Sequence, residues 1–247
     1  MDGPEFSPCT VELRPRGGLG RTQAGGLCGT HHFCFATYQR PDRLEWGALR
    51  GLNEYRLAPG AVRTPTFHSG FDIVTLVTGG SLRRLGTYAP RQLLEPGSAE
   101  LVSAGRGVDL GMEAVGTEAA TYLEIWIRTG PGRRDPRREW LGNVRRGLDL
   151  PLATSSPFQP GSLKLRGTAS IAWAALSAKQ KVIVETEPDQ CAYLSVRAGV
   201  LTGNELRATA GDAVAIAGSV QLVLEAEAAS ELLLVRTANA IRATACT

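Results

Sequence analysis

One stretch of the sequence, Gly60 to Gly80, combines groups able to transfer protons or bind a metal with a strand-like run. His68 and Asp72 lie there, Thr66 stands two positions before His68, and a β-branched apolar run follows. A histidine and an aspartate can exchange protons with a bound molecule, and both are ligands for divalent metals when further ligands converge with them. The chain has three histidines and none lies beyond residue 68, so any histidine-based metal site must lie in the first half.

The elements that must position these groups are short strands. Strand-like runs recur throughout the first half, separated by turns rich in glycine and proline, and no stretch there has a long helical period. In the run from 123 to 128, Leu123, Ile125 and Ile127 face one way, whereas Glu124, Trp126 and Arg128 face the other. This pattern predicts an all-β sandwich or barrel.

The second half repeats the first in weaker form. The run from Val77 to Leu82 resembles that from Val196 to Leu201, since each is a strand that enters a glycine turn. Two similar β units predict a duplicated barrel. We expect an N-terminal tail (1–8), a first barrel (9–130), an arginine- and proline-rich, solvated linker (131–155), a second barrel (156–238) and a C-terminal tail (239–247).

Composition excludes several classes of protein. The net charge of +3 gives no strong nucleic-acid signal, and no apolar run is long enough for a membrane span. The five cysteines are odd in number, far apart and without a C-x-x-C motif, which argues against a disulfide framework or a zinc knuckle. A reducing, cytoplasmic location is therefore expected. A protein partner and the oligomeric state are not indicated by the sequence.

Several segments together resemble the pirin family of bicupins, including its bacterial members that are similar to quercetin 2,3-dioxygenase. The resemblance extends from about Cys9 to Val235. It implies two cupin barrels (double-stranded β-helix, or jelly-roll, barrels) in one chain, and thus an all-β bicupin. It is carried by the segments Phe33–Tyr38, His68–Asp72, Pro96-Gly97, Ser103–Gly107, Leu123–Ile127 and Pro160–Lys164.

The resemblance also implies a metal site in the first barrel, usually for iron, with three histidines and a glutamate as ligands. Placed on this sequence, those positions hold Thr66, His68, Leu110 and Met112, so three of the four ligands are absent. A bound metal cofactor is therefore not expected, and the site is expected to be a degenerate one whose four positions line a pocket. If a metal did bind, a shift of one residue along the strand would offer His68, Asp72 and Glu113, but that shift needs a β-bulge.

Three functions remain open at this point. The leading hypothesis is a protein that has lost metal-dependent dioxygenase chemistry and acts as a non-enzymatic, small-molecule-binding or regulatory protein, with an apolar or aromatic ligand. The first alternative is a metal-independent isomerase, cyclase or hydrolase that uses His68 and Asp72 as acid and base in the emptied barrel. The second alternative is a quercetinase-like dioxygenase with the shifted metal site. His31 is expected to be structural.

Overall fold

The computed structural model describes residues 9–87, 92–130, 134–157 and 159–238. Both predicted tails, part of the predicted linker and Cys246 lie outside these residues. Between residues 9 and 141 the strands are β1 Cys9–Arg14, β2 Gly20–Ala24, β3 Leu27–His31, β4 Leu49–Leu57, β5 Val62–His68, β6 Phe71–Gly79, β7 Ser81–Gly86, β8 Ala99–Ser103, β9 Val108–Val115, β10 Ala120–Arg128 and β11 Arg137–Leu141.

The remaining strands follow from residue 151 onwards. They are β12 Pro151–Thr154, β13 Leu163–Lys164, β14 Ala169–Leu176, β15 Lys181–Thr186, β16 Gln190–Ala198, β17 Val200–Gly203, β18 Leu206–Thr209, β19 Ala213–Gly218, β20 Val220–Ala226 and β21 Ser230–Ala238. The helices in the described part of the chain are two short 3₁₀ turns, Arg16–Gly18 and Pro41–Arg43. Among the same residues there is no helix long and apolar enough to cross a membrane.

The chain forms two barrels, each built from one large and one small sheet. In the first, a seven-stranded sheet in the order β11-β8-β6-β10-β4-β3-β2 faces the three-stranded sheet β5-β9-β7. In the second, the seven-stranded sheet β1-β19-β16-β21-β14-β12-β13 faces the four-stranded sheet β15-β20-β17-β18. The predicted all-β architecture of two barrels is confirmed.

The internal repeat predicted from sequence is visible at equivalent turns. Gly80 lies between β6 and β7 with φ of 62°, and Gly199 lies between β16 and β17 with φ of 80°. A Cβ at either position would approach a backbone carbonyl oxygen, to 2.6 Å at Gly80 and 2.8 Å at Gly199. Glycine is therefore required at both turns, for conformational and for steric reasons.

The first strand departs from the predicted division into domains. β1 falls within the range 9–130 that was assigned to the first barrel, but it pairs with β19 of the second, from Cys9 opposite Gly218 to Arg14 opposite Ala213. The physical reason is that β19 would otherwise be an open edge of its sheet, and a paired edge satisfies the backbone groups there. Local sequence pattern identifies a strand but does not identify its distant partner.

The predicted solvated linker is also corrected. Its described part contributes β11 to the first barrel, paired with β8, and β12 to the second. Arg138 donates a hydrogen bond to buried Glu100, and the Arg146 guanidinium lies 3.8 Å from the centre of the Trp173 ring. Arginine side chains of this segment contact a buried acid and an aromatic ring of the barrels. The described part of the segment therefore belongs to the folded structure.

The two large sheets pack against each other and form the main apolar core. Val74, Leu123 and Ile125 of the first barrel meet Tyr193 and Leu233 of the second in this core. Separate clusters fill the interior of the second barrel and two regions of the first. The apolar interior of the first barrel is thus divided into two clusters. The charged side chains described below are buried in the same barrel.

Candidate functional site

The four positions at which the resemblance places metal ligands lie together on β5 and β9. These strands are antiparallel, with Thr66 opposite Leu110 and His68 opposite Val108. The register shifts between Arg63 and Thr66, where proline at position 65 cannot donate a ladder hydrogen bond. The side chains at 66 and 68 share one face of β5, because alternate residues of a strand point the same way.

The side chains at these positions do not fit a divalent metal. Thr66 Oγ1 and His68 Nε2 are hydrogen-bonded to each other at 3.0 Å, whereas Leu110 and Met112 are fully buried and offer hydrocarbon and a thioether. Hard divalent ions need several oxygen or nitrogen donors that converge on one point. Within the described residues, no three His, Cys, Asp or Glu side chains come together in an arrangement that could hold a metal.

Two of the predicted pocket residues do not line the cavity at this site. Leu110 packs with Ile73 and Val108, and Met112 packs with Tyr55 and Leu82 in the second cluster inside the barrel. Thr66 and His68 do line the cavity. Leucine and methionine at the inner positions bury more apolar surface by filling the barrel than by facing an open mouth.

The alternative site that uses Glu113 is contradicted by the direction of this side chain. Glu113 lies on β9 between inward-facing Met112 and Ala114, and its Oε2 accepts a hydrogen bond of 2.7 Å from Arg83 Nη1 on the outer face. The ladder between β7 and β9 runs from Ser81 to Gly86 without a bulge. Neighbouring residues of a regular strand point to opposite faces, so Glu113 cannot join His68.

Asp72 does not pair with His68, which corrects the predicted acid–base pair. Its carboxylate is buried, and Oδ2 accepts backbone hydrogen bonds from Arg166 at 2.5 Å and from Gly167 at 2.9 Å. The next residue, Ile73, packs inside the first barrel, so Asp72 faces the opposite side of β6, towards the second barrel. Asp72 therefore joins the two barrels and takes no part in the cavity.

A buried ion pair close to His68 was missed by the sequence analysis. Arg63 Nη1 donates a hydrogen bond of 2.8 Å to Glu124 Oε2, and a second, shorter bond joins Nη2 to Oε1. The guanidinium lies over the rings of Tyr55 and Tyr122, at 5.0 and 5.9 Å from their centres. The alternation from Leu123 to Arg128 places Glu124 on the face opposite the apolar residues, which indicates a solvent-exposed acid, so no signal in the sequence identifies this buried pair.

A second ion pair lies deeper in the first barrel. Arg84 is fully buried and donates to Glu100 Oε2, at 2.6 Å from Nε and at a shorter distance from Nη2. Its Nη2 also donates to Thr75 Oγ1 at 2.9 Å. Neither partner is exposed, so each charge depends on the other for the solvation that water would otherwise provide.

These charges determine the protonation states around the cavity. Burial lowers the pKa of His68; Glu124 opposes this shift, and Arg63 and Arg84 reinforce it. Burial raises the pKa of Glu124, but the charge of Arg63 and its hydrogen bonds outweigh burial and leave the pKa below its ordinary value. Near neutral pH the imidazole is therefore uncharged and the carboxylate ionised.

The cavity opens at the mouth of the first barrel and has a volume of about 520 Å³. Aromatic rings form much of its wall, and Trp126 meets the His68 ring edge to face at 5.0 Å between centres. Trp126 Nε1 is buried and has no hydrogen-bond partner within the described residues. The lining consists of Thr22, Leu27, Phe35, Tyr55, Arg63, Thr64, Thr66, Phe67, His68, Ser69, Phe71 and Trp126.

The two remaining histidines are buried and fully hydrogen-bonded. His31 Nδ1 and Nε2 bond Asn53 Oδ1 and Thr22 Oγ1, both at 2.8 Å, which agrees with the predicted structural role. His32 Nδ1 bonds the Tyr193 hydroxyl at 3.0 Å and its Nε2 bonds Glu54 at 3.1 Å. His32 thus connects the two barrels.

Comparison with known proteins agrees with this architecture. Residues 14–127 match the family described as Pirin, and residues 152–236 match the family described as Quercetinase C-terminal cupin domain. A Pseudomonas aeruginosa protein named "Putative quercetin 2,3-dioxygenase" is 31% identical over 233 residues, covering 92% of this chain and all of that protein. A Caulobacter vibrioides protein named pirin-like protein is 28% identical over 231 residues, with 92% and 100% covered.

Escherichia coli supplies one relative by sequence and one solved structure for comparison. The K12 protein named quercetin 2,3-dioxygenase is 26% identical over 227 residues, covering 91% of this chain and 97% of the relative. The crystal structure of the bacterial pirin YhhW in complex with nickel(II) has a TM-score of 0.86 at 23% identity, covering 93% of this chain and 100% of that chain. The fold is that of the solved pirins, and the chain belongs to the pirin family.

Proposed function

We propose that the first barrel binds a flat aromatic small molecule in its mouth cavity, without a resident metal. The observation that carries this proposal is the set of side chains at the family's metal position. A hydroxyl and an imidazole bonded to each other, together with two buried apolar side chains, give a divalent ion too few donors. Thr66 and His68 also line a cavity with room for an organic ligand.

The size and lining of the cavity support an aromatic ligand. Its volume of about 520 Å³ is in the range of ordinary small-molecule sites, which are mainly apolar with a few placed polar groups. Phe35, Phe71 and Trp126 offer ring faces and edges, and each aromatic contact contributes about 0.5–1.5 kcal/mol beyond its buried area. Phe67, 66% exposed on β5, lines the opening and can cover a bound ring.

Polar groups at one side of the cavity would orient such a ligand. The neutral imidazole of His68 and the hydroxyl of Thr66 can exchange their mutual hydrogen bond for bonds to a ligand hydroxyl. Relatives bear the name quercetin 2,3-dioxygenase, and a flavonol has both the flat rings and the hydroxyl groups that this arrangement suits. Quercetin is therefore the natural probe.

The test combines metal content, binding and oxygen uptake in the purified protein. We expect iron, nickel and manganese far below one equivalent, saturable quenching of tryptophan fluorescence by quercetin, and no oxygen uptake with quercetin present. His68→Ala removes one hydrogen bond of about 1–1.5 kcal/mol and should weaken binding about five- to tenfold. Ile183→Ala, an exposed apolar change in the second barrel, serves as the matched control and should bind as the parent does.

Two results would overturn the proposal. One is a stoichiometric divalent metal that His68→Ala abolishes, because the position would then retain its family role. The other is quercetin binding that is unaffected by both His68→Ala and Trp126→Phe, because the ligand would then occupy another surface.

A second candidate, metal-independent proton transfer, is favoured by the electrostatics of His68. Because burial lowers its pKa, the imidazole is in the basic form near neutral pH, inside a cavity that can hold an organic substrate. His68 would act alone as the base, since Asp72 lies on the other face of β6. Turnover of a ligand in the presence of a metal chelator, lost in His68→Gln while binding persists, would establish it.

A further inference from the structure

A second cavity, of about 510 Å³, lies where the two barrels meet at one end of their interface. Its floor is the face of β10, β4, β3 and β2 that is turned towards the second barrel. Arg16, from the turn after β1, and Arg197, from β16, also line it. We call this cavity the basic cleft. Its lining comprises Arg16, Arg21, Thr22, Gln23, Cys28, Gly29, Thr30, Glu54, Tyr55, Arg56, Thr78, Thr121, Tyr122 and Arg197.

The register of the sheet fixes the spacing of charges across the floor. Thr30 on β3 is opposite Glu54 on one side and Arg21 on the other, and Arg56 is opposite Cys28 on the same face. Neighbouring strands are about 4.8 Å apart, so the Cα atoms of Arg21 and Glu54 are about 10 Å apart. Arg56 lies about 7 Å from Glu54 along β4, since it is two residues further on.

The basic cleft carries an excess of positive charge. Four arginines line it against one acid, Glu54, which pairs with Arg197. Within the described residues, the side chains of Arg16, Arg21 and Arg56 form no ion pair. Several exposed arginines elsewhere do form such pairs. Uncompensated guanidinium groups in a concave site attract anions more strongly than they would on a flat surface.

Glu54, the one acid that lines the basic cleft, is fixed by hydrogen bonds to neighbouring side chains. Glu54 Oε1 accepts a hydrogen bond from Arg197 and is joined at 3.1 Å to Nε2 of buried His32. His32 is in turn fixed by the Tyr193 hydroxyl. Burial raises the pKa of Glu54, but His32 and Arg197 outweigh it and lower the pKa to about 2. Glu54 thus orients Arg197 and leaves Arg21 and Arg56 without a compensating acid, whereas the charge of Arg16 also acts on Asp212 of the second barrel.

We propose that the basic cleft binds a phosphorylated small molecule that carries at least two phosphate charges. Guanidinium groups present paired N–H donors that match phosphate oxygens. Arg21 and Arg56, whose Cα atoms are about 12 Å apart by the sheet spacings above, and Arg16 suit a diphosphate better than a single carboxylate. The Thr30 hydroxyl supplies an additional donor at the floor, whereas the hydroxyls of Thr78 and Thr121 are hydrogen-bonded to each other at 2.9 Å. This site is separate from the proposed aromatic site, although Thr22 and Tyr55 line both cavities.

The experiment uses the full chain with pyrophosphate, ADP and adenosine as probes. We expect saturable calorimetric binding of pyrophosphate and ADP that weakens steeply with added salt, and no binding of adenosine. Arg21→Gln/Arg56→Gln should weaken pyrophosphate binding about 100-fold, roughly tenfold for each guanidinium–phosphate pair removed. The matched control is Arg83→Gln/Arg207→Gln, which removes the same charge from pairs outside the cleft and should bind as the parent does.

Cys28 provides an independent measure of occupancy. It is exposed and lines the basic cleft, whereas exposed Cys9 lies on β1 outside it. Saturating pyrophosphate should slow alkylation of Cys28 by iodoacetamide, read from its peptide by mass spectrometry, and leave Cys9 unchanged. The proposal is overturned if pyrophosphate does not bind saturably, if both double variants weaken binding equally, or if Cys28 reacts at the same rate with and without it. ADP binding without pyrophosphate binding also contradicts it, because the nucleoside would then be the group recognised.

Discussion

Asp72 offers a quantitative test of the difference between a catalytic and a structural carboxylate. In Asp72→Ala, the backbone N–H groups of Arg166 and Gly167 both lose a charged acceptor. Hydrogen bonds to charged groups contribute about 1.5–3 kcal/mol each, which gives about 3–6 kcal/mol for the pair. Burial of a carboxylate whose Oδ1 has no partner within the described residues offsets about 1–2 kcal/mol of that. The free energy of unfolding should therefore fall by about 2–4 kcal/mol.

Urea denaturation followed by tryptophan fluorescence and far-ultraviolet circular dichroism measures this loss. Asp72→Asn keeps one acceptor oxygen and should cost less than the alanine variant, and exposed Asp109→Ala should stay within about 0.5 kcal/mol of the parent. Ligand binding at the mouth cavity should persist in folded Asp72→Ala. The reasoning is refuted if Asp72→Ala is as stable as the parent, or if it loses binding as His68→Ala does while remaining folded.

Three further predictions concern the interior, the histidines and one turn. In Arg84→Met, Glu100 stays buried but loses its ion pair with Arg84, so the free energy of unfolding measured in urea should fall by about 3 kcal/mol or more. Arg106→Met, which removes an exposed ion pair, should cost less than about 1 kcal/mol. The pKa of all three histidines is lowered from 6.5, mainly by burial, so below about pH 6.5 the unfolded chain binds more protons than the folded one. Stability should therefore fall from about pH 7.5 to about pH 5.5, by up to about 1.4 kcal/mol per histidine per pH unit below 6.5, and equal urea midpoints at the two pH values would contradict this. Gly80→Ala should reduce the free energy of unfolding by about 2 kcal/mol or more, because residue 80 has a positive φ and a Cβ there would approach a carbonyl oxygen. The control is Gly17→Ala, where a Cβ meets nothing within 4 Å.

The fold could be predicted because its signals are local. The run from Cys9 to Arg14 is a strand with those bounds, and the repeated strand–glycine turn recurs at Gly80 and Gly199. The partner of that first strand could not be predicted, since nothing in its alternation distinguishes β19 from any other edge. The boundaries of the barrels otherwise stay predictions.

The site could be predicted only where spacing along one strand was sufficient. Thr66 and Leu110, assigned through family resemblance, do lie opposite each other, and His68 does line the cavity. Proximity in sequence predicts that Asp72 lies with His68, but a turn separates β5 from β6. His68 lines the cavity, whereas Asp72 faces the second barrel. Arg63 and Glu124 were missed because they are 61 residues apart, and only the folded barrel brings them into contact.

The pairing of β1 with β19 has a consequence for how the chain is made. About 200 residues separate these partners, so β1 leaves the ribosome long before β19 has been synthesised. At about 5–20 residues per second, that interval is about 10–40 s. During this time β1 has no β19 to pair with. The first barrel can therefore fold before the sheet of the second barrel is complete. The sheet of the second barrel is therefore expected to be completed only after β19 has been synthesised, when β1 pairs with it.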